Sequence, residues 1–236
     1  MPKSRLEAFS DGVIAILITI MVLDLHTPHG TTWHALRAEL PVLLAYVLSF
    51  VYLGIYWNNH HHLFQAVTRV SGAALWANLN LLFWLSLLPF ATAWMSENDF
   101  PTIPVAVYGM VLTAAGFAWL VLQSLLLHIE GEGSLLAAAI GTDVKGRASG
   151  LVYLAGIGLS FVNPWLGIAA YVTVALIWLI PDRRVERVLT AAHTGSGETA
   201  GHARSRGGRH IARPAPAVQE PPAWGPCPSP SPSLPT

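Results

Sequence analysis

The chain has 236 residues, of which 53% are hydrophobic and 11% are charged, and its mean hydropathy is +0.49. A soluble domain carries about 25% charged residues, so this composition predicts an integral membrane protein. The formal net charge of zero excludes a strongly basic nucleic-acid-binding protein, and the single cysteine, Cys227, excludes an intrachain disulfide and a cysteine metal site.

Membrane spans are predicted from the intervals that contain no charged residue, because a helix needs about 20 apolar residues to cross a bilayer. In chain order these intervals are 12–23, 40–68, 70–96, 100–129 and 148–181. The last interval is long enough for two short helices joined at Asn163-Pro164, a dipeptide that favours a turn. The sequence therefore predicts an all-α fold with six transmembrane helices. A re-entrant hairpin within 148–181 is the competing interpretation.

The basic residues predict the orientation, since Lys and Arg accumulate in cytoplasmic loops. With the N-terminus in the cytoplasm, Arg37 is the basic residue of the outer loops. The inner segments then carry Lys3, Arg5, Arg69, Lys145, Arg147, Arg183, Arg184 and Arg187. Both termini are therefore predicted to be cytoplasmic.

The polar segments divide the chain into a membrane domain and a tail. Segment 129–146 is expected to be a cytoplasmic connection with a short interfacial helix. Residues 1–188 are predicted to form the six-helix transmembrane domain. Residues 189–236 are rich in Pro, Ser and Gly, which predicts a disordered cytoplasmic tail.

The first span has two kinds of face. At about 100° per residue, one face collects Phe9, Gly12, Ile16, Thr19, Ile20 and Leu23, which we call the first-helix stripe. Such a stripe commonly packs against another helix or lipid. Ser10 and Asp11 lie away from it, and an acidic residue beside a span indicates an ion route, a proton relay or a bond to a neighbouring helix.

Partners for Asp11 are available in the next two spans. The stretch YWNNHHHLF places Trp57, His60, His61 and Phe64 on one helical face, and WANLNLLFW carries Asn78 and Asn80. With the predicted orientation these residues and Asp11 all lie near the cytoplasmic side. A histidine or indole N–H donated to the carboxylate would satisfy it without neutralising its charge.

The first span resembles the signature helix of the transmembrane protein 175 potassium-channel family. The resemblance rests on RLEAFSDGVIAILITIMVLDL, in which Arg5, Phe9, Ser10 and Asp11 match the family's Arg-x-x-x-Phe-Ser-Asp motif. YWNNHHHLF and NLNLLFWLSLLPFATAWM are similar to the family's second and third helices. The resemblance covers about the first 180 residues and leaves the tail outside it.

The resemblance implies a potassium-permeable channel of the cell membrane, assembled as a homotetramer whose first helices line a central pore. It places an apolar constriction at Ile16, with Ile20 and Leu23 one and two turns further and a hydroxyl layer at Thr19. It also implies that Trp57, His61 and Asn78 or Asn80 hold the motif residues. The expected partners are copies of the chain, the bilayer and the conducted K+ ion, with no cofactor and no enzymatic activity.

A pore formed in this way selects ions without the Thr-Val-Gly-Tyr-Gly loop of familiar potassium channels, which this chain lacks. The hypothesis is that an Ile16 ring forms a dewetting barrier and that Thr19 replaces part of the ion's water. Asp24 lies at the predicted outer mouth, where a ring of carboxylates would concentrate cations. A solvated carboxylate at the helix end is the equal alternative.

Two other functions compete with a channel. A metal enzyme would use His60, His61 and His62 with His26, His29 and His34. Consecutive histidines on a helix point about 100° apart, and the other three are predicted on the opposite side of the membrane, so no metal site is expected. A proton-coupled transporter is the stronger rival, since Asp11 near histidines suits a proton relay. No inverted repeat or pair of broken helices supports it.

Overall fold

Helices make up the regular secondary structure of the residues that the computed structural model describes, which are 2–131, 133–134, 136–137 and 144–179. They belong to one compact unit, Met1–Thr194. In chain order the helices are α1 (Lys3–Leu23), α2 (Trp33–Gln65), α3 (Gly72–Ser86), α4 (Leu88–Ser96), α5 (Thr102–Glu130), α6 (Val144–Ser160) and α7 (Pro164–Leu179). Arg183, Arg184, Arg187, the tail at 189–236, and residues 132, 135 and 138–143 of segment 129–146 lie outside the described residues.

Among the described residues, four stretches are long and apolar enough to cross a membrane. They are Lys3–Leu23, Trp33–Gln65, Gly72–Ser96 and Thr102–Glu130. Helix α7 is also apolar but has 16 residues, about 24 Å against a hydrocarbon thickness of about 30 Å. An all-helical membrane protein is therefore confirmed, whereas six complete crossings stay a prediction.

Proline marks two of the helix boundaries. Helix α3 ends at Ser86, and Pro89 occupies the first turn of α4, where its missing N–H costs no hydrogen bond. Pro164 begins α7, and the Asn163 side chain accepts a 2.9 Å hydrogen bond from the Trp165 N–H. The turn between α6 and α7 thus lies where the Asn163-Pro164 dipeptide predicts it.

Hydrogen bonds bring three segments together at one end of the described unit. The Lys3 Nζ donates to the Val67 carbonyl at 2.9 Å, which joins the start of α1 to the turn after α2. In the same turn, the backbone N–H groups of Thr68 and Arg69 donate to Glu130 Oε1 at 2.7 and 3.0 Å. The start of α1, the α2–α3 turn and the end of α5 therefore share one end, and their basic residues Lys3 and Arg69 lie together there.

Buried tyrosines join the remaining helices. The Tyr52 hydroxyl donates to the Tyr171 carbonyl at 2.6 Å, which links α2 to α7. The Ser49 hydroxyl lies 3.0 Å from the Tyr108 hydroxyl and 2.7 Å from the Thr92 hydroxyl. The Thr92 hydroxyl itself donates to the Leu88 carbonyl. Because the Thr92 hydroxyl donates its proton to the Leu88 carbonyl, it can only accept from Ser49. The Ser49 hydroxyl therefore donates to Thr92 and accepts from the Tyr108 hydroxyl. These bonds satisfy hydroxyl groups that would be costly unpaired in an apolar interior.

Glycine makes room for the Tyr171 ring. A Cβ at Gly156 would lie 2.6 Å from the ring carbon Cε1 of Tyr171 and 3.1 Å from the Ala170 Cβ. Gly109 of α5 lies against the same ring from the other helix. Small residues at helix contacts allow the backbones to approach closely, which is a main source of helix association in a bilayer.

We expect Gly156→Ala to destabilise the protein by about 1–3 kcal/mol, because the added methyl group overpacks the contact between α6 and Tyr171. Gly158→Ala is the matched control, since a Cβ there meets no atom within 4 Å. Thermal unfolding of the detergent-solubilised protein measures both. Equal unfolding temperatures for the two variants would contradict the packing described here.

Candidate functional site

Helix α1 divides into a buried face and an exposed face. The buried residues recur every three or four positions and are Leu6, Ser10, Ile14, Leu17 and Met21. This face packs against α2, α3 and α4. At about 100° per residue, its centre lies about 130° from the centre of the first-helix stripe.

The first-helix stripe is uncovered in the single subunit. Ile16 is 57% exposed and Leu23 is 81% exposed, and the other stripe members, Phe9, Gly12, Thr19 and Ile20, are exposed as well. The Thr19 hydroxyl donates to the Ile16 carbonyl at 2.8 Å, so its proton is used within the helix. The stripe thus offers apolar side chains and one hydroxyl oxygen to whatever lies outside the subunit.

A chain of three buried polar side chains fixes the opposite face. Asn78 of α3 donates through Nδ2 to the Ser10 hydroxyl at 2.9 Å, and Ser10 donates to the Leu6 carbonyl at 3.0 Å. The Asn78 Oδ1 lies 2.9 Å from His60 Nε2 of α2. Because that oxygen can only accept, the bond requires a proton on His60 Nε2. We call this chain the Ser10–Asn78–His60 link.

The Ser10–Asn78–His60 link is secluded from solvent. Ser10 and Asn78 are 0% exposed and His60 is 1% exposed, and Phe64 packs on the imidazole with ring centroids 4.5 Å apart. A buried polar group without a partner costs about 1–3 kcal/mol, so the arrangement favours one rotation of α1 about its axis. Turning the helix would leave the Asn78 Nδ2–H group without its acceptor, whereas Ser10 would keep its own bond to Leu6 within α1.

Of the motif and its implied partners, the structure brings together Ser10 and Asn78. Asp11 is half-buried and, within the described part of one chain, makes no hydrogen bond or ion pair. Trp57 and His61 are exposed and stack on each other, with ring centroids 6.2 Å apart. His61 Nε2 lies 2.8 Å from the Gln65 amide.

The remaining motif residues are exposed. Arg5, Phe9 and Asn80 face outward, and Asp24 is exposed at the C-terminal end of α1. His60 is the residue that sequence reasoning placed on the right face but did not select. Three adjacent histidines carry no signal that tells which of them turns inward, because that depends on the rotation of α2 against α3.

The histidines and carboxylates of the described residues do not assemble into a metal site. No cluster of three His, Cys, Asp or Glu side chains occurs there. The expectation that the protein holds no metal stays a prediction.

We expect Asn78→Ala to lower the free energy of unfolding by about 1–3 kcal/mol, because it leaves the buried donor of His60 without its acceptor. Asn80→Ala, two residues along the same helix and exposed, is the control and should change stability by less than about 0.5 kcal/mol. Thermal unfolding in detergent compares the two. A larger loss for Asn80→Ala than for Asn78→Ala would contradict the importance of the Ser10–Asn78–His60 link.

The described helices define an α-helical membrane protein, and the proteins similar to it are named channels, which are not a class of enzyme. A family model described as the endosomal/lysosomal potassium channel TMEM175 matches residues 5–89. A protein of Chryseobacterium sp. (strain P1-3) named a potassium channel is 53% identical over 189 residues, which cover 80% of this chain and 98% of that protein. The chain belongs to the TMEM175 family, and the family resemblance predicted from the first helix is confirmed.

Two further matches cover a similar share of the chain. A protein of Streptomyces collinus named a potassium channel is 37% identical over 190 residues, covering 75% of this chain and 91% of that protein. The crystal structure of a lysosomal potassium-selective channel TMEM175 homologue from Chamaesiphon minutus matches with a TM-score of 0.65 at 29% identity. That match covers 75% of this chain and 96% of the solved chain.

Proposed function

We propose that the protein is a potassium-permeable channel that conducts passively through a pore lined by α1 in a homotetramer. Its relatives in Chryseobacterium and Streptomyces are named potassium channels, and the solved homologue is titled potassium-selective. The main observation in support of the proposal is that the first-helix stripe is exposed, whereas the other face of α1 is held by buried hydrogen bonds. Conduction is the function that uses both features.

Oligomerisation is part of this mechanism. One helix cannot enclose a pore, so a conducting stripe must meet copies of itself around an axis. Helix α1 packs on α2, α3 and α4 through its buried face, which leaves the stripe free to face an axis. Four copies then place rings of Ile16, Ile20 and Leu23 along the path of the ion.

The chemistry of these rings supports a narrow apolar gate. Apolar constrictions obstruct ions by dewetting, so an Ile16 ring must widen for a partly dehydrated K+ to pass. The Thr19 hydroxyl uses its proton on the Ile16 carbonyl, so its oxygen lone pairs remain to coordinate the cation. Thr19 can thereby replace some of the water lost at the neighbouring isoleucine rings.

Charge at the outer mouth favours cations. Asp24 is exposed at the C-terminus of α1, where the helix dipole adds negative partial charge. Glu97, after α4, borders the same small depression as Asp24. Four copies of these carboxylates would raise the local concentration of K+ over anions. This role for Asp24 does not require it to select potassium over sodium.

The proposed topology has six crossings in the cell membrane with both termini in the cytoplasm. Its support is the shared end of the unit that carries Lys3 and Arg69, with Arg37 in the first turns of α2. Basic residues favour the cytoplasmic side, so that end is the inner one. The shorter helices α6 and α7 then form the fifth and sixth crossings.

We expect Ile16→Asn to raise basal K+ flux and to reduce the preference for K+ over Na+, because an amide ring stays hydrated where the isoleucine ring dewets. The measurement is ion flux through purified protein reconstituted in liposomes. Val22→Asn is the control, since Val22 is exposed on α1 but lies off the first-helix stripe. Its flux should match that of the unchanged protein.

The same flux assay tests the function itself. Passive current that reverses near the potassium equilibrium potential supports the channel. Flux that saturates at micromolar substrate or requires a proton gradient would instead favour a proton-coupled transporter. Ile16→Asn conducting like the unchanged protein would contradict the gate assignment and leave the channel function to be judged by the reversal potential.

We expect Leu23→Cys to form disulfide-linked dimers under mild oxidation, because the proposed tetramer brings copies of this side chain together. The native Cys227 is first replaced by serine to remove its thiol. Met21→Cys is the control, since Met21 is 3% exposed and packs within its own subunit. Electrophoresis without reductant gives the readout. Equal cross-linking of both variants, or of neither, would contradict first helices facing a common axis.

A further inference from the structure

A cavity of about 220 Å³ lies between α2, α5, α6 and α7. Its lining is almost entirely apolar and includes Tyr56, Phe117, Trp119, Gly150, Leu154 and Trp178. The cavity is partly open at the surface of the subunit, where Phe117 is 67% exposed and Leu154 is 57% exposed. Helix α1 contributes no residue to it, so the cavity is separate from the candidate pore.

The lining selects an apolar occupant. Apolar cavities of about 150 Å³ stay dry in proteins and take up molecules such as benzene, because water finds no hydrogen-bond partners there. The hydroxyl of Ser149 on the wall already accepts a 2.8 Å hydrogen bond from the Trp178 indole N–H. A hydrocarbon chain therefore fits this cavity better than water or a polar solute.

The residues at one end of the cavity favour a position near the boundary between acyl chains and headgroups. Trp178 lines the cavity next to the end of α7, and tryptophans concentrate at the membrane–water interface. Gly146 also lines the cavity, and it is flanked by the basic residues Lys145 and Arg147, the latter exposed. Basic side chains at this depth attract anionic headgroups of the cytoplasmic leaflet.

We propose that the cavity binds one acyl chain of an anionic phospholipid, with its headgroup beside the start of α6. The assignment to the cytoplasmic leaflet rests on the orientation given under the proposed function, whereas lipid binding itself is measured without ion conduction. A second copy of the chain is the other possible occupant. It is disfavoured because the proposed tetramer is built around α1, which contributes no residue to the cavity lining.

The experiment compares a filled cavity with an unfilled one. Gly150 lines the cavity, and a Cβ there meets no atom within 4 Å, so the side chain of Gly150→Phe begins in open space at the cavity wall. Gly158→Phe is the matched control on the same helix, because Gly158 is also open and does not line the cavity. Delipidated full-length protein is incubated with phosphatidylglycerol, and native mass spectrometry counts the lipid retained per subunit.

We expect the unchanged protein and Gly158→Phe to retain one phosphatidylglycerol per subunit. Gly150→Phe should bind it at least about tenfold more weakly, since excluding two methylene groups from an apolar site already has that effect. Retention of phosphatidylglycerol by Gly150→Phe at the unchanged level would overturn the site. A change in oligomeric mass without a change in lipid would also overturn it and would assign the cavity to contact between subunits.

The headgroup contact has its own test. Arg147→Gln should weaken phosphatidylglycerol binding about fivefold relative to phosphatidylcholine, the effect of one basic group near an anionic headgroup. Arg37→Gln, an exposed arginine on α2, is the control and should leave the preference unchanged. Equal retention of the two lipids by the unchanged protein would overturn the anionic part of the proposal.

Discussion

The hydrogen bonds of the Ser10–Asn78–His60 link decide which face of α1 is turned toward its own subunit. A helix that is apolar on every side has no hydrophobic reason to prefer one rotation in a bilayer, because lipid tails are as apolar as leucine. The Asn78 amide does supply such a reason, since its buried N–H must find an acceptor and the Ser10 hydroxyl provides one. By burying Ser10 against Asn78, the fold exposes the first-helix stripe on the other side.

Contacts elsewhere in the subunit help to hold α1 in that rotation. Hydrogen-bonded tyrosines and the close contact of Gly156 with the Tyr171 ring join α2, α5, α6 and α7 by contacts that do not depend on water. At one end, Lys3 and Glu130 tie the start of α1 and the end of α5 to the same α2–α3 turn. The first helix is therefore held at its start by Lys3 and two turns further on by Ser10, and these contacts favour one rotation about its axis.

The proposed pore and the proposed lipid site lie on different helices, and this separation follows from the packing. Helix α1 contacts α2, α3 and α4, whereas the cavity is bordered by α5, α6, α7 and one side of α2. Only α2 takes part in both regions. It carries His60 toward α3 and Tyr56 toward the cavity, one turn apart on the same helix. A lipid in the cavity would thus touch the helix that anchors the first helix.

The sequence alone determined the class of the protein, the family and the composition of the first-helix stripe, because charge-free intervals, the Arg-x-x-x-Phe-Ser-Asp motif and helical periodicity are properties of the chain. The turn at Asn163-Pro164 was also predictable, because the local geometry of proline decides it. Tertiary structure decided which polar residues meet. Ser10 rather than Asp11 lies against Asn78, and His60 rather than His61 completes the link. Neighbouring residues on a helix point about 100° apart, so only one of each pair can face a given helix. Hydropathy does not distinguish a side that faces lipid from a side that faces protein. The packing of α1, α2 and α3 therefore decides which residue of each pair turns inward.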